Sequence, residues 1–308
     1  MRILVLSRNG SLYSTNRLVR SARARGHDID VVDPLELQLV VAKERATLAL
    51  AGSPLPVYHA VIPRIGASIT RYGLAVVRQF EEAGVVVANG AAAIAYAHDK
   101  VRTLQLLQRH DLAVPRTVCT RSLAGLPAAL DTVGGCPAIV KLLHGSQGIG
   151  TMIADTPQAV FSLLETLWAM GQEIVLQEYI RESGGRDVRA FVVGGKVVAA
   201  MRRVARPGEF RSNLHRGGRG DPLELPPSYR RLATRAARVA GLEICGVDLL
   251  EGKKGPLVVE LNSSPGLEGI EQATGIDVAR SIVARVEALW RQRRRAGRAA
   301  PPRLEPLH

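Results

Sequence analysis

Three side chains near the end of the chain, Asp248, Glu260 and Asn262, carry the oxygen atoms that a divalent cation takes as ligands. In an extended strand, alternate side chains share a face. On a strand over 257–262, Glu260 and Asn262 point one way and Val259 and Leu261 the other. A preceding strand over 245–250 sets Asp248 amid Val247, Leu249 and Leu250, with a turn in 251–255. Two carboxylates and an amide oxygen then converge on one face of a hairpin. Such hard donors suit Mg²⁺, which keeps waters and substrate phosphates in its other positions. A surface hairpin with its polar residues outward has the same spacing, so both readings stand. Ser263-Ser264-Pro265-Gly266 follows as a loop beside the cluster.

A second group of residues suits phosphate. The run His144-Gly145-Ser146-Gln147-Gly148-Ile149-Gly150 holds three glycines, which let a backbone turn tightly and offer N–H groups to oxygens. No Gly-Lys-Ser/Thr closes it and a strand follows, so it is not a Walker A loop. An ordinary hairpin turn has the same composition. Lys141 ends an apolar strand just before these glycines, and Lys100 begins a helix. Either can offset phosphate charge, aided at Lys100 by the helix N-terminus, or simply be solvated. The apolar run Val175-Leu176-Gln177 leads into Glu178-Tyr179-Ile180, a candidate hinge whose backbone would read an adenine edge. Asp187 and Arg189 share a strand face, as a surface ion pair also would. Arg211, Asn213 and His215 alternate around Ser212, and arginine there can stabilise a phosphoryl group in transfer.

The elements that must position these residues are legible from hydrophobic period. Strands at 3–6, 29–32, 60–63 and 85–88 alternate with helices at 15–25 and from 70, the second capped by Thr70 and ended by Gly84. This βαβ rhythm predicts a small parallel α/β domain over 1–95. A second unit over 96–177 starts with Asp99 as N-cap, turning Val101, Leu104 and Leu107 inward. Its Lys141 strand, glycine turn and strand at 151–154 precede a helix opened by Thr156-Pro157. A third unit over 178–290 is richer in hairpins. Strands at 187–193 and 196–204 flank Gly194-Gly195, and helices fill 228–240 and 278–290. Residues 291–308 lack apolar period and read as a disordered tail. No internal repeat is present.

Composition bounds the rest. The 308 residues suffice for about two domains. Apolar residues at 46% exclude a disordered chain. Net charge is +13, with six arginines in the last 18 residues against Glu305. A basic body suits anionic partners, namely nucleotides, acidic peptides or nucleic acid. Cys119, Cys136 and Cys245 form no CxxC and no zinc spacing, which fits a reducing cytoplasm. The N-terminus has too short an apolar run for a signal peptide, and no membrane segment is expected.

In this order the residues resemble the ATP-grasp superfamily, and within it the RimK-type glutamate ligases, over about residues 1 to 290. The most specific runs are Val61-Ile62-Pro63-Arg64-Ile65-Gly66, Gly145-Ser146-Gln147-Gly148-Ile149-Gly150, Arg211-Ser212-Asn213-Leu214-His215-Arg216-Gly217-Gly218 and Asn262-Ser263-Ser264-Pro265-Gly266. The resemblance implies an α/β and α+β architecture: an N-terminal parallel α/β pre-ATP-grasp domain, then two lobes holding ATP between them. It implies that Lys141 and Lys100 contact phosphate, that Glu178 to Ile180 form the adenine hinge, and that Asp187 meets the nucleotide, with Arg189 nearby. Arg211, Ser212 and Asn213 would line the phosphate and acyl-phosphate region, Arg211 and Asn213 acting in catalysis. The loop from Gly145 to Gly150 would close over the phosphates. Asp248, Glu260 and Asn262 would bind two Mg²⁺ or Mn²⁺ ions, with Glu260 bridging.

The implied reaction activates a carboxylate as an acyl phosphate and joins it to an amine. Glutamate is the implied amino acid, and the C-terminus of a small-subunit ribosomal protein the implied acceptor. Homo-oligomers are common in the family. The arginine-rich tail lies outside its pattern: it is either dispensable or a contact for ribosomal RNA. Two other functions fit less of the chain. One is a sibling amino-acid ligase acting on a carrier protein or cofactor. The other is a non-catalytic nucleic-acid-binding protein, for which no recognised module speaks.

Overall fold

The computed structural model describes residues 1–41, 46–143, 150–214 and 217–297. The chain opens with β1 (Arg2–Leu6), α1 (Tyr13–Ala24) and β2 (Asp28–Val32). A small antiparallel sheet follows: β3 (Leu37–Val41), β4 (Ala46–Leu50) and β5 (Ser53–Pro54). Then come β6 (Ala60–Pro63), α2 (Thr70–Glu82), β7 (Val86–Val87) and α3 (Ala91–His98). Strands β2-β1-β6-β7 form the expected parallel sheet. Its strands are short apolar runs because helices cover both faces.

Period alone does not reveal the β3-β4-β5 sheet. Its core residues Leu37 and Leu48 are buried against Val76, Val77 and Phe80, most of them distant in sequence. Thr70 is not the N-cap of α2 but its first residue. Its hydroxyl donates back to Gly66 O and Ala67 O and meets His98 Nδ1 at 2.8 Å.

The middle of the chain holds α4 (Lys100–Arg109), β8 (Thr117–Val118), α5 (Leu126–Val133), β9 (Ala138–Leu142), β10 (Thr151–Ala154), α6 (Pro157–Ala169) and β11 (Ile174–Glu178). The caps act as expected. Asp99 accepts from Arg102 N at 2.9 Å, and Thr156 from Ala159 N at 3.2 Å. Helix α4 buries Thr103 and Leu107, and leaves Val101 and Leu104 half-buried. Strands β10-β9-β11-β8 form an antiparallel sheet.

The last part contains β12 (Arg186–Val193), β13 (Lys196–Val204), β14 (Arg219–Pro222), α7 (Pro227–Val239), β15 (Ile244–Gly252), β16 (Gly255–Asn262), α8 (Glu268–Thr274) and α9 (Val278–Arg295). The five-stranded antiparallel sheet runs β14-β13-β12-β15-β16. Helix α9 corrects the expected tail boundary. Residues 291–295 stay helical because Val283 and Val286 anchor α9 to the core and Arg291 pairs with Glu287 one turn back. Residues 298–308 lie outside the described part.

The cores decide what moves with what. Ile3, Val5 and Leu18 of the first unit share one apolar cluster with Phe191, Met201, Ile282 and Val286 of the last. The β8–β11 sheet instead packs with α5 and α6 in a cluster of its own, including Leu130, Val140, Val160, Leu164 and Leu176.

Candidate active site

Between the β9–β11 lobe and the β12–β16 sheet lies a cleft lined by Lys100, Lys141, Glu178 to Ile180, Asp187, Arg211 to Asn213, Asp248 and Glu260. It encloses about 1120 Å³ of empty space, including its open mouth. Gly145, Ser146, Gln147, Gly148 and Ile149 fall outside the described residues, as do His144, His215 and Arg216. Gly150 closes the base of their loop, with its carbonyl accepting from Leu142 N at 2.8 Å.

Strand register builds the floor. Asp248 of β15 lies opposite Arg189 of β12 on one side and Glu260 of β16 on the other. A bulge follows, since Leu249 pairs with Val258 and leaves Val259 without a partner. Val259 therefore lines the cleft beside Glu260 instead of facing away, against the strict alternation expected of this strand. Asn262, opposite Gly246, sets its side-chain nitrogen 3.4 Å from Asp248 Oδ2.

The alternative reading of Asp187 and Arg189 as a surface ion pair with each other does not hold; each reaches across strands instead. Asp187 takes both Nε (2.7 Å) and Nη2 of Arg203, its register partner. Arg189 grips Asp248 with Nε and Nη2, the latter at 2.7 Å, and Arg203 Nη2 reaches the same carboxylate at 3.0 Å. Burial alone would raise the Asp248 pKa, but the two arginines hold it below the usual carboxylate range. Glu260 moves the other way. Burial and then the charge of Asp248 raise it, against Lys100, Lys141 and Arg189. At about 5 Å and an effective dielectric near 20, two carboxylates repel by roughly 3 kcal/mol.

The lysines complete the electrostatics. Lys141 Nζ donates to Gln177 Oε1 at 2.7 Å, and Gln177 Nε2 donates to Thr117 Oγ1 at 2.8 Å. Burial pulls Lys141 down to about 8, with Glu260 pushing back. Lys100 Nζ donates to Leu143 O at 2.9 Å and is also lowered by burial. Among the described residues, five cations (Lys100, Lys141, Arg186, Arg203, Arg211) and four carboxylates (Glu178, Asp187, Asp248, Glu260) line the cleft. That surplus falls short of a triphosphate, so further positive charge must accompany the nucleotide. Two carboxylates and the amide oxygen of Asn262, whose nitrogen is turned to Gly246 O and Asp248, are donors that fit Mg²⁺ or Mn²⁺. Among the described residues no three His, Cys, Asp or Glu side chains form a metal cluster; the two carboxylates here need the amide as third donor.

The remaining expected residues take distinct places. Glu178 turns its carboxylate to Arg116, at 3.0 and 3.1 Å, while Tyr179 and Ile180 line the cleft. Arg211 is held by Glu209 in a two-bond pair, at 2.9 and 2.8 Å. Asn213 and Ser212 line the wall, while Arg189 and Asn262 adjoin the floor through their contacts with Asp248. Sequence reasoning missed Gln177 and Arg203. A buried glutamine and a buried arginine within apolar strands were the available signals.

Two lobes closing a basic cleft, floored by acid, acid and amide on paired strands, define an ATP-grasp ligase. The chain belongs to the RimK family of that class: residues 1–94 match the RimK PreATP-grasp domain and residues 97–286 the RimK-like ATP-grasp domain. It is similar to a probable alpha-L-glutamate ligase of Shewanella frigidimarina, 51% identical over 287 residues, covering 93% of this chain and 95% of that one. A probable alpha-L-glutamate ligase of Pseudomonas aeruginosa is 50% identical over the same length, with the same coverage. Among solved structures, the ATP-grasp ligase PsnB with a precursor peptide and AMPPNP superposes at a TM-score of 0.73 and 24% identity, over 94% of this chain and 98% of that one. D-alanine–D-alanine ligase of Bacillus anthracis with ATP gives 0.70 at 18% identity, over 96% and 100%. These last two likenesses establish the fold.

Proposed function

We propose that this ligase adds L-glutamate to a peptide C-terminus: that of a small-subunit ribosomal protein, or of a growing poly-α-glutamate chain. The observation that carries it is Asp248 and Glu260, with Asn262 against Asp248, facing Lys100 and Lys141 across one cleft, in a chain half identical to relatives named probable alpha-L-glutamate ligases. The domain limits near 95 and 177, and assembly as a homo-oligomer, belong to the same reading.

A free carboxylate is a poor acyl donor, because oxide would have to leave. Transfer of the γ-phosphoryl of ATP to that carboxylate releases ADP and makes an acyl phosphate. The glutamate amine then attacks the acyl carbon, the amide forms, phosphate leaves, and the amine proton passes to solvent. Lys141 and Lys100 hold the phosphates, and Arg211 and Asn213 steady the group in transfer. Glu178 to Ile180 seat the adenine, and Asp187 meets the ribose side. Two Mg²⁺ or Mn²⁺ ions, held by Asp248, Glu260 and Asn262, would supply positive charge along the phosphates. The loop over 145–150 limits hydrolysis by excluding water.

Purified protein incubated with ATP, Mg²⁺ and glutamate should release ADP, and an acceptor peptide should gain mass in glutamate steps. Gain of a different amino acid, or gain by a carrier protein instead, would move the chain to a sibling ligase. Glu260→Ala should cut turnover at least about 100-fold while leaving the melting temperature nearly unchanged. Full activity in that variant would sink the site assignment.

A further inference from the structure

The loop after Asn262 is held by side chains from the first hundred residues. Asn89 Nδ2 donates to Ser263 O at 2.7 Å, and His98 Nε2 meets Ser263 Oγ at 3.3 Å. Ser14 Oγ accepts from Leu267 N at 2.9 Å. Arg64, just past the C-terminal end of β6, donates Nη1 to Pro265 O at 2.8 Å. Asn, His and Ser suit such a task. A guanidinium does not, for it brings a full charge and five donors to a single carbonyl. No carboxylate pairs with Arg64 among the described residues, and burial alone pulls its pKa down to about 10. One residue before Pro265, the Ser264 hydroxyl is buried with no hydrogen-bond partner among the described residues. Arg64 is half-buried, and a partly desolvated cation without a counter-ion weakens a fold unless a ligand supplies the missing charge. The C-terminal edge of a parallel sheet is also where α/β proteins bind ligands.

We propose that Arg64 and the Ser264 hydroxyl form a subsite for a substrate carboxylate, two residues beyond Asn262. The inference rests on the ligase reading and names how that site recognises an acidic substrate. The bound carboxylate takes the spare Arg64 donors and the serine proton, leaving the bond to Pro265 O in place. Its source is either the incoming glutamate or an acidic side chain of the acceptor.

The test uses full-length wild type, Arg64→Gln, Arg64→Lys and Ser264→Ala. ADP release is followed while glutamate, acceptor peptide and ATP are varied in turn. Arg64→Gln should raise one KM by about 10- to 100-fold, and Ser264→Ala the same KM by about 5-fold. Arg64→Lys should recover part of the loss. If glutamate KM moves, glutamic acid α-amide and glutamine should lose their disadvantage in Arg64→Gln. If acceptor KM moves, the acceptor supplies the carboxylate. ADP affinity measured with Mg²⁺ should not change. Unchanged KM values for both acidic substrates would overturn the subsite. So would a uniform loss of ATP, glutamate and acceptor affinity with a lowered melting temperature, which marks a structural clamp. Wild type without glutamate-dependent ADP release would instead refute the ligase reading. Calorimetric titration of the ADP-loaded protein with glutamate or an acidic peptide then reads the subsite without turnover, and equal affinity in wild type and Arg64→Gln would refute it.

Discussion

Lys141 shows how one buried side chain can be costly to the fold and useful to the site. Its ammonium is pulled down to about 8 by burial and keeps a hydrogen bond to Gln177. Only the protonated form attracts phosphate, so it is about nine-tenths charged at pH 7 and one-tenth at pH 9. Nucleotide affinity of the free enzyme should fall as pH rises through 8, and Lys141→Met should bind weakly without that slope. Titration with AMPPNP at several pH values checks this. Stability runs the other way. Between about 8 and the ordinary lysine value of 10.5 the unfolded chain holds the proton more tightly, so this group's contribution improves as pH rises. Arg203 is the second informative residue. It satisfies Asp187 and shares Asp248 with Arg189. Arg203→Ala leaves half-buried Asp187 without its partner while Asp248 keeps Arg189, and should cost about 1–3 kcal/mol in urea unfolding. A loss below about 1 kcal/mol would mean that water or Arg189 takes over.

At the scale of elements, the β9–β10 hairpin flanks the proposed phosphate loop and the β15–β16 pair carries the proposed metal donors. Gly150 closes the first hairpin at φ +77, and a Cβ there would stand 2.6 Å from Leu142 Cγ. Gly150→Ala should therefore shift the loop base, raise KM for ATP and destabilise by more than about 1 kcal/mol. Thr156→Ala removes only the α6 cap. It should cost a comparable 1 kcal/mol or so while leaving kcat intact. Equal kinetic loss in both variants would show that general loosening, not loop geometry, sets the rate. The bulge at Val259 plays a similar part in the second pair, for it turns an apolar wall and a carboxylate into the same cleft.

Across the whole molecule, the first and last units form one body through a shared core, and the β8–β11 lobe keeps its own. Closure over a nucleotide would then be a movement of that lobe against the rest, because separate cores can shift without repacking. Amide exchange in residues 117–178 should slow on adding AMPPNP and Mg²⁺, whereas exchange in α1 and α9 should not. Uniform slowing would argue for a single rigid body. No helix among the described residues is long and apolar enough to cross a membrane.

Local chemistry wrote much of this molecule into its sequence. Short apolar runs fixed β1, β2 and β6, the Asp99 and Thr156 caps fixed two helix starts, and the Asp248, Glu260 and Asn262 spacing marked the floor of the cleft. These depend on near neighbours, through strand alternation, capping and glycine turns. Tertiary structure alone decided the partners. Arg189 grips Asp248 rather than Asp187, Gln177 anchors Lys141, and the β3-β4-β5 sheet exists only against α2. Charge pairing and core packing join residues tens to hundreds of positions apart, and no local period records which strand lies beside which.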